Sequence, residues 1–295
     1  AVAIIFIIIG SHLGGVGVGL AGGAGCIVLA ATGLHTKMAE DIPWTVIGII
    51  MAVICAIAAL QLAGGMDYLV HLTEVMLRKH PSQINYLAPL ATFLLSLLCG
   101  TGHTAYSVLP VIVEVAKEHK IRPSRPLSIA VVASQVAVAS SPISAATLAL
   151  VGVLEPLGVG YLKILAVTIP TTFIGCVVGA VVASHQGKDL VDDPIYLERE
   201  AKGLVSHNAA VGDTGWKPKQ SAIPSLVAFL VALIVVVGYA TVSSEEVGML
   251  TKPPMTSSAA IMLIMLTTAM IICVISREDV KQLTTQATFR AGMSE

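Results

Sequence analysis

Charge is scarce in this sequence. Of its 295 residues only 12% are Asp, Glu, Lys or Arg, while 55% are hydrophobic and the mean hydropathy is +0.86. Soluble domains carry about 25% charged residues, so an aqueous globular fold is excluded and an all-α polytopic membrane protein is expected. Aromatics are also few, at 4%, and the net charge is −1. With no basic run interleaved with aromatics, no nucleic acid is expected as a partner. The five cysteines, Cys26, Cys55, Cys99, Cys176 and Cys273, lie in apolar segments without CxxC spacing, which excludes a disulfide framework or a zinc site. HExxH, GxSxG and paired intramembrane aspartates are missing too. Ser141 with His103 could be drawn as a serine-protease pair, but this serine precedes Pro142 at a helix start. No enzyme, catalytic residue, metal or cofactor is expected. Neither an initial Met nor a basic n-region precedes the apolar run at Ala1, and the sequence stops after a polar stretch at Glu295. Both ends read as cut from a longer chain.

Long apolar runs are what the sequence does have. Ala1–Ile9 reads as the tail of a first helix, closed by a tight turn at Gly10-Ser11-His12. Leu13–Leu34 carries seven glycines in its first thirteen residues, Gly14, Gly15, Gly17, Gly19, Gly22, Gly23 and Gly25, a small face suited to close helix packing. Ile42–Leu62, Tyr161–Ser184, Ala222–Val242 and Ser257–Ile275 are spans, and Met66–Lys79 alternates apolar and charged residues as a helix lying on a membrane surface does. A short charged helix is predicted around Pro194–Lys202.

Two apolar runs are interrupted. Leu87–Leu98 and Thr104–Val115 flank Cys99-Gly100-Thr101-Gly102-His103, and each arm reaches about 18 Å against a hydrocarbon core of about 30 Å. Backbone that leaves the helix at membrane depth survives only when buried in protein or lining a wet cavity. A re-entrant hairpin, or the unwound middle of a helix, is therefore expected at Cys99–Thr104. The second interruption, Ser140-Ser141-Pro142, divides Leu127–Ala139 from Ile143–Leu154, with Ser141 as N-cap and Pro142 at the first helical position.

All seventeen Lys and Arg except Lys37, Lys163 and Lys252 fall on one side if the first interruption is a hairpin. By the positive-inside rule, 64–86, 117–126, 185–221 and 277–295 are cytoplasmic. Each interruption exposes unpaired N–H groups at a helix start, where anions are favoured. Thr101, Gly102, His103 and Thr104 at one tip, and Ser140, Ser141 and Ser144 at the other, are the candidate substrate-binding residues. Two such helix starts facing one cavity suit a molecule with two carboxylates. His103 is either a functional titratable group or a neutral imidazole shaping the tip. Cys99 reads as a packing residue and Gln135 as a helix–helix hydrogen bond, with a side chain facing the solute as the lesser alternative.

The run from Leu98 through His103 to Pro110, then Ile121-Arg122-Pro123-Ser124-Arg125-Pro126, Ala139-Ser140-Ser141-Pro142-Ile143-Ser144 and His185-Gln186-Gly187-Lys188-Asp189-Leu190, resembles the anaerobic C4-dicarboxylate transporter (Dcu) family over essentially the whole chain. The resemblance implies secondary transport of fumarate, succinate, malate or aspartate across the bacterial inner membrane, by exchange or uptake. A same-architecture carrier of another anion, or a cation-coupled antiporter, is the alternative. More distantly, the polar tip resembles the re-entrant hairpin of the divalent-anion symporters, which pair it with a broken helix in each of two inverted repeats. On that reading residues 1–184 form one repeat, 185–221 a cytoplasmic linker and 222–295 the start of a second repeat that continues past Glu295. Expected partners are C4-dicarboxylates and the lipid bilayer, with room for a homo-oligomer and for a membrane sensor protein docking on the linker.

Overall fold

The computed structural model describes residues 2–13, 16–33, 42, 44–154, 157–187, 189–202, 217–243 and 254–286, and of residues 16, 103, 257, 280 and 285 the backbone alone. Among these residues there is no strand. The helices are α1 (Val2–Leu13), α2 (Val16–Ala31), α3 (Trp44–Leu62), α4 (Gly65–Lys79), α5 (Ile84–Cys99), α6 (His103–Tyr106), α7 (Leu109–Glu118), α8 (Ser124–Val138), α9 (Ala145–Leu154), α10 (Tyr161–Ser184), α11 (Pro194–Ala201), α12 (Ala222–Val242) and α13 (Ser257–Ser276). Five described runs are long and apolar enough to cross a membrane: Trp44–Leu62, Pro81–Cys99, Tyr161–Ser184, Ala222–Val242 and Ser258–Ser276.

Three expectations change. The predicted turn at Gly10-Ser11-His12 is helical, because Gly10 lets α1 close on Val18 of α2, where a Cβ would come within 3.1 Å of the Val18 Cα. The first arm is longer than its apolar run, since a 3-10 turn at Pro81–Gln83 leads directly into α5 and brings the whole run to 19 residues. The second arm is divided into α6 and α7, with Pro110 in the first turn of α7, where its missing N–H costs nothing.

One core joins α3, α12 and α13 with α9 and the start of α10 through Ile57, Leu60, Phe229, Met265 and Ile272. A second joins α4, α5, α7 and α8 through Leu77, Ile84, Leu95, Ile112, Val115 and Ala130. α5 and α8 approach closely enough for the Thr92 hydroxyl to donate to Ala130 O at 2.8 Å. Arg78 pairs with Glu114 at 2.8 Å, tying the end of α4 to α7. Tyr86 at the start of α5 lies 3.3 Å from Ser184 at the end of α10. Beyond α7, the Lys120 carbonyl accepts from Leu190 N–H at 3.2 Å.

Arg125 fastens the segment after α10. Its guanidinium donates to Gln186 O and Gly187 O at 2.7 Å each and to Asp189 Oδ1 at 2.6 Å, and its side chain is only 11% exposed. Arg122 meets Asp193, which also caps α11 through Ile195 N–H. A planar fork of donors suits two carbonyls and a carboxylate, and an ammonium does not reproduce it. Arg125→Ala is expected to cost about 2 kcal/mol locally, seen as faster amide exchange over residues 186–193, and Arg125→Lys is expected to recover less than half of it.

Candidate functional site

α5 ends because Gly100 takes φ +68°, a left-handed cap whose N–H donates to Ser96 O at 2.9 Å. A helix end leaves its last carbonyls without intrahelical donors. The Leu97 carbonyl is such an acceptor, and the Ser141 hydroxyl supplies the donor across the interface at 2.7 Å. Gly100 meanwhile lies against Ile143, where a Cβ would come 3.1 Å from Cγ1. The two interruptions predicted separately are thus packed on one another.

The second interruption is closed in the same manner. The Ser140 hydroxyl donates to Ala137 O at 3.0 Å, the Ser144 hydroxyl to Thr147 Oγ1 at 2.9 Å, and Thr147 Oγ1 to Ala139 O at 3.2 Å. Tyr161 at the start of α10 donates to Pro142 O at 2.6 Å. The N-cap of α9 is Ser144, whose hydroxyl accepts from Thr147 N–H at 3.1 Å, and not Ser141 as predicted. Ser141-Pro142 forms a turn, and its serine hydroxyl is drawn to Leu97 instead. Ser140, Ser141 and Ser144 are 0%, 0% and 1% exposed. The hydroxyls of Ser140 and Ser141 donate to backbone carbonyls at the two breaks, and Ser144 donates to the Thr147 hydroxyl, which in turn donates to Ala139 O, the accounting that buried polar groups demand.

The accessible polar groups lie around the first tip. Thr101 and Thr104 are half-buried, and Thr104 donates to Thr101 O at 3.2 Å. Gly102 is buried beneath the side chain of Gln135. The side chain of His103 lies outside the described residues, and its backbone opens the four-residue α6, too short for a substantial dipole. The Cys99 thiol, 1% exposed, sits 3.3 Å from Met66 Sδ and against the Thr104 hydroxyl, in keeping with its packing role. The first turn of α9 presents exposed Ala145 and Ala146.

Sequence reasoning missed Tyr161 and Thr147. Ser144 directly before the apolar run of α9 is a legible N-cap, but nothing local marks Thr147 as the donor for Ala139 O or Tyr161 as the donor for Pro142 O. Tyr161→Phe leaves that carbonyl unpaired and is expected to cost about 1–3 kcal/mol, read as a lowered unfolding temperature of the purified protein.

Apolar helices of spanning length define a multi-pass membrane protein, and within it two interruptions are packed tip to tip. The family described as anaerobic C4-dicarboxylate membrane transporter matches residues 1–295, and this chain belongs to that family. The family is one of membrane transporters, not of enzymes. Among curated relatives, "C4-dicarboxylate transporter DcuA" of Wolinella succinogenes is 50% identical over 288 residues, 98% of this chain and 65% of the relative. The protein of that name from Escherichia coli K12 is 44% identical over 294 residues, covering 99% and 66%, and that of Helicobacter pylori J99 is 43% identical over 286, covering 97% and 63%. The chain therefore spans about two thirds of the length of these relatives. No solved structure matches it.

Proposed function

We propose that this chain carries the first part of a secondary C4-dicarboxylate transporter of the bacterial inner membrane, moving fumarate, succinate, malate or aspartate by exchange or uptake. What carries the reading is the contact between the two interruptions, Ser141 on Leu97 O and Gly100 on Ile143, in a chain whose relatives are named C4-dicarboxylate transporters.

The segment α5–α7 is read as a re-entrant hairpin. Length alone does not support this, since Pro81–Cys99 is long enough to cross. The support comes from both ends of the segment: Tyr86 meets Ser184 as it enters, and Lys120 and Arg125 meet Leu190 and Gln186–Asp189 as it leaves. All of these lie at the C-terminal end of α10. Residues 1–184 then act as one repeat, 185–221 as a cytoplasmic linker, which a membrane sensor protein could read, and 222–295 as the start of a second, inverted repeat. Cytoplasmic placement of 64–86, 117–126, 185–221 and 277–295 follows from the Lys and Arg bias.

In the site, Thr101, Gly102, His103 and Thr104 hold one substrate carboxylate. Ser140, Ser141 and Ser144 build the opposite face, where the N-terminal turn of α9 at Ala145 and Ala146 offers N–H donors to the other carboxylate. Transport is alternating access without covalent chemistry. The test is exchange of labelled succinate by the full-length protein in liposomes, challenged with unlabelled fumarate, malate, aspartate and butyrate. Saturable exchange blocked by the dicarboxylates and not by butyrate is expected; block by butyrate alone, or dependence on an unrelated anion, would overturn the substrate class.

A further inference from the structure

α8 is apolar on most of its length, and its small hydroxyls are internally bonded, Ser128 to Arg125 O and Ser134 to Val131 O. Gln135 is different. Its sequence position, one turn before the second interruption, suggested a helix–helix hydrogen bond, yet its carboxamide makes no hydrogen bond among the described residues. It is also exposed, on a stripe with Val132 and Ala139. A long polar side chain without a partner on an apolar helix is costly against hydrocarbon and costs little against water or a polar solute. Its surroundings are therefore wet, filled by a hydrogen-bonding ligand, or covered by another polar group of the protein.

The carboxamide is not waving in open space. It lies on the backbone of Gly102, so close that a Cβ at that position would be 2.9 Å from Gln135 Cδ and 3.1 Å from Oε1, with Nε2 nearer still. Only glycine admits this approach, because real carbon atoms do not come so near. The amide is thus brought from α8 to the tip that carries the half-buried Thr101 and Thr104. Among the described residues no hydrogen bond from the amide to that tip accompanies the approach. Its N–H donors lie at the tip that carries the hydroxyls of Thr101 and Thr104.

We propose that Gln135 is a substrate ligand, donating from its carboxamide to a carboxylate oxygen of a dicarboxylate seated at the Thr101–Thr104 tip. This rests on the transport reading above and names a residue that the reading does not include. A carboxylate only accepts hydrogen bonds, and a carboxamide can turn its NH2 toward it without changing its place on the helix. A neutral donor also suits this site physically. The anion's charge is met by several weak dipoles that can release it again, where a buried cation would hold it.

The experiment compares Gln135→Ala, the near-isosteric Gln135→Met and Gln135→Glu in the full-length protein, reconstituted in liposomes and assayed by labelled succinate exchange, with butyrate as the monocarboxylate competitor. Unchanged yield and a single elution peak establish that each variant folds. Loss of a hydrogen bond to a charged group is expected to raise KM for succinate about tenfold or more in both Ala and Met variants, with maximal rate within about twofold on the same grounds. The preference for succinate over butyrate falls with it. Gln135→Glu sets a like charge against the substrate and is expected to be worse than either, with partial recovery as pH is lowered. A fall in maximal rate with KM and preference unchanged would make Gln135 a structural residue and overturn the inference, as would no effect. If Thr101→Val with Thr104→Val raises KM and Gln135→Ala does not, only Gln135 loses its role. If the unmodified protein exchanges no dicarboxylate, the transport reading itself fails.

Discussion

Gly102→Val is expected to reduce dicarboxylate exchange about a hundredfold, the scale on which an ångström of misplacement acts at an assembled site. The cause is local and steric. The Gln135 carboxamide already occupies the space a side chain would need, its Cδ at 2.9 Å from the Cβ position, so a branched residue must displace that carboxamide from the tip. Gly102→Ala is expected to do less, because the far end of Gln135 can rotate away, and its cost should shrink further when Gln135 is itself Ala. That non-additivity, measured as a double-mutant cycle on KM, distinguishes a direct contact from two independent defects. Full exchange by Gly102→Val would remove the tip from the site.

Ser141→Val carries the second large effect. The serine is fully buried and its hydroxyl is the donor for Leu97 O, a carbonyl that the end of α5 leaves open. Replacing the hydroxyl by a methyl and adding another leaves a buried acceptor unpaired and overfills a packed contact. Each of these costs about 1–3 kcal/mol. The expected result is a clear fall in unfolding temperature with a loss of exchange, and Ser141→Ala should recover the overpacking part alone. If Ser141→Val were as stable and as active as the unmodified protein, the two interruptions would not depend on one another.

Much of this arrangement is legible in the sequence. The bounds of α10 and α12 coincide with their apolar runs, because turn and polar residues bracket them. The two interruptions are visible because Cys99–Thr104 and Ser140-Ser141-Pro142 put polar and helix-stopping residues into apolar surroundings. Their mutual contact is not visible, since Ser141 and Leu97 are 44 residues apart and nothing local names the partner. The same holds for Tyr161 on Pro142 and for Arg125 on the segment after α10. The cap of α9 was misplaced to Ser141 because a serine before proline satisfies the local rule equally well, and only the competing acceptor at Leu97 decides for Ser144. The serines themselves illustrate the limit most clearly: composition marks them as polar groups at membrane depth, and packing assigns their hydrogens to the protein's own oxygens, two carbonyls and the Thr147 hydroxyl.

The central claim is that the two interruptions face one solute. It is tested most directly by single cysteines at Thr101 and at Ala145, placed in the full-length protein with its native cysteines replaced and labelled by a membrane-permeant maleimide with and without saturating succinate. Slower labelling at both positions in succinate, and no change in butyrate, is the expected result. Protection at neither position, or protection at one that butyrate reproduces, would contradict it.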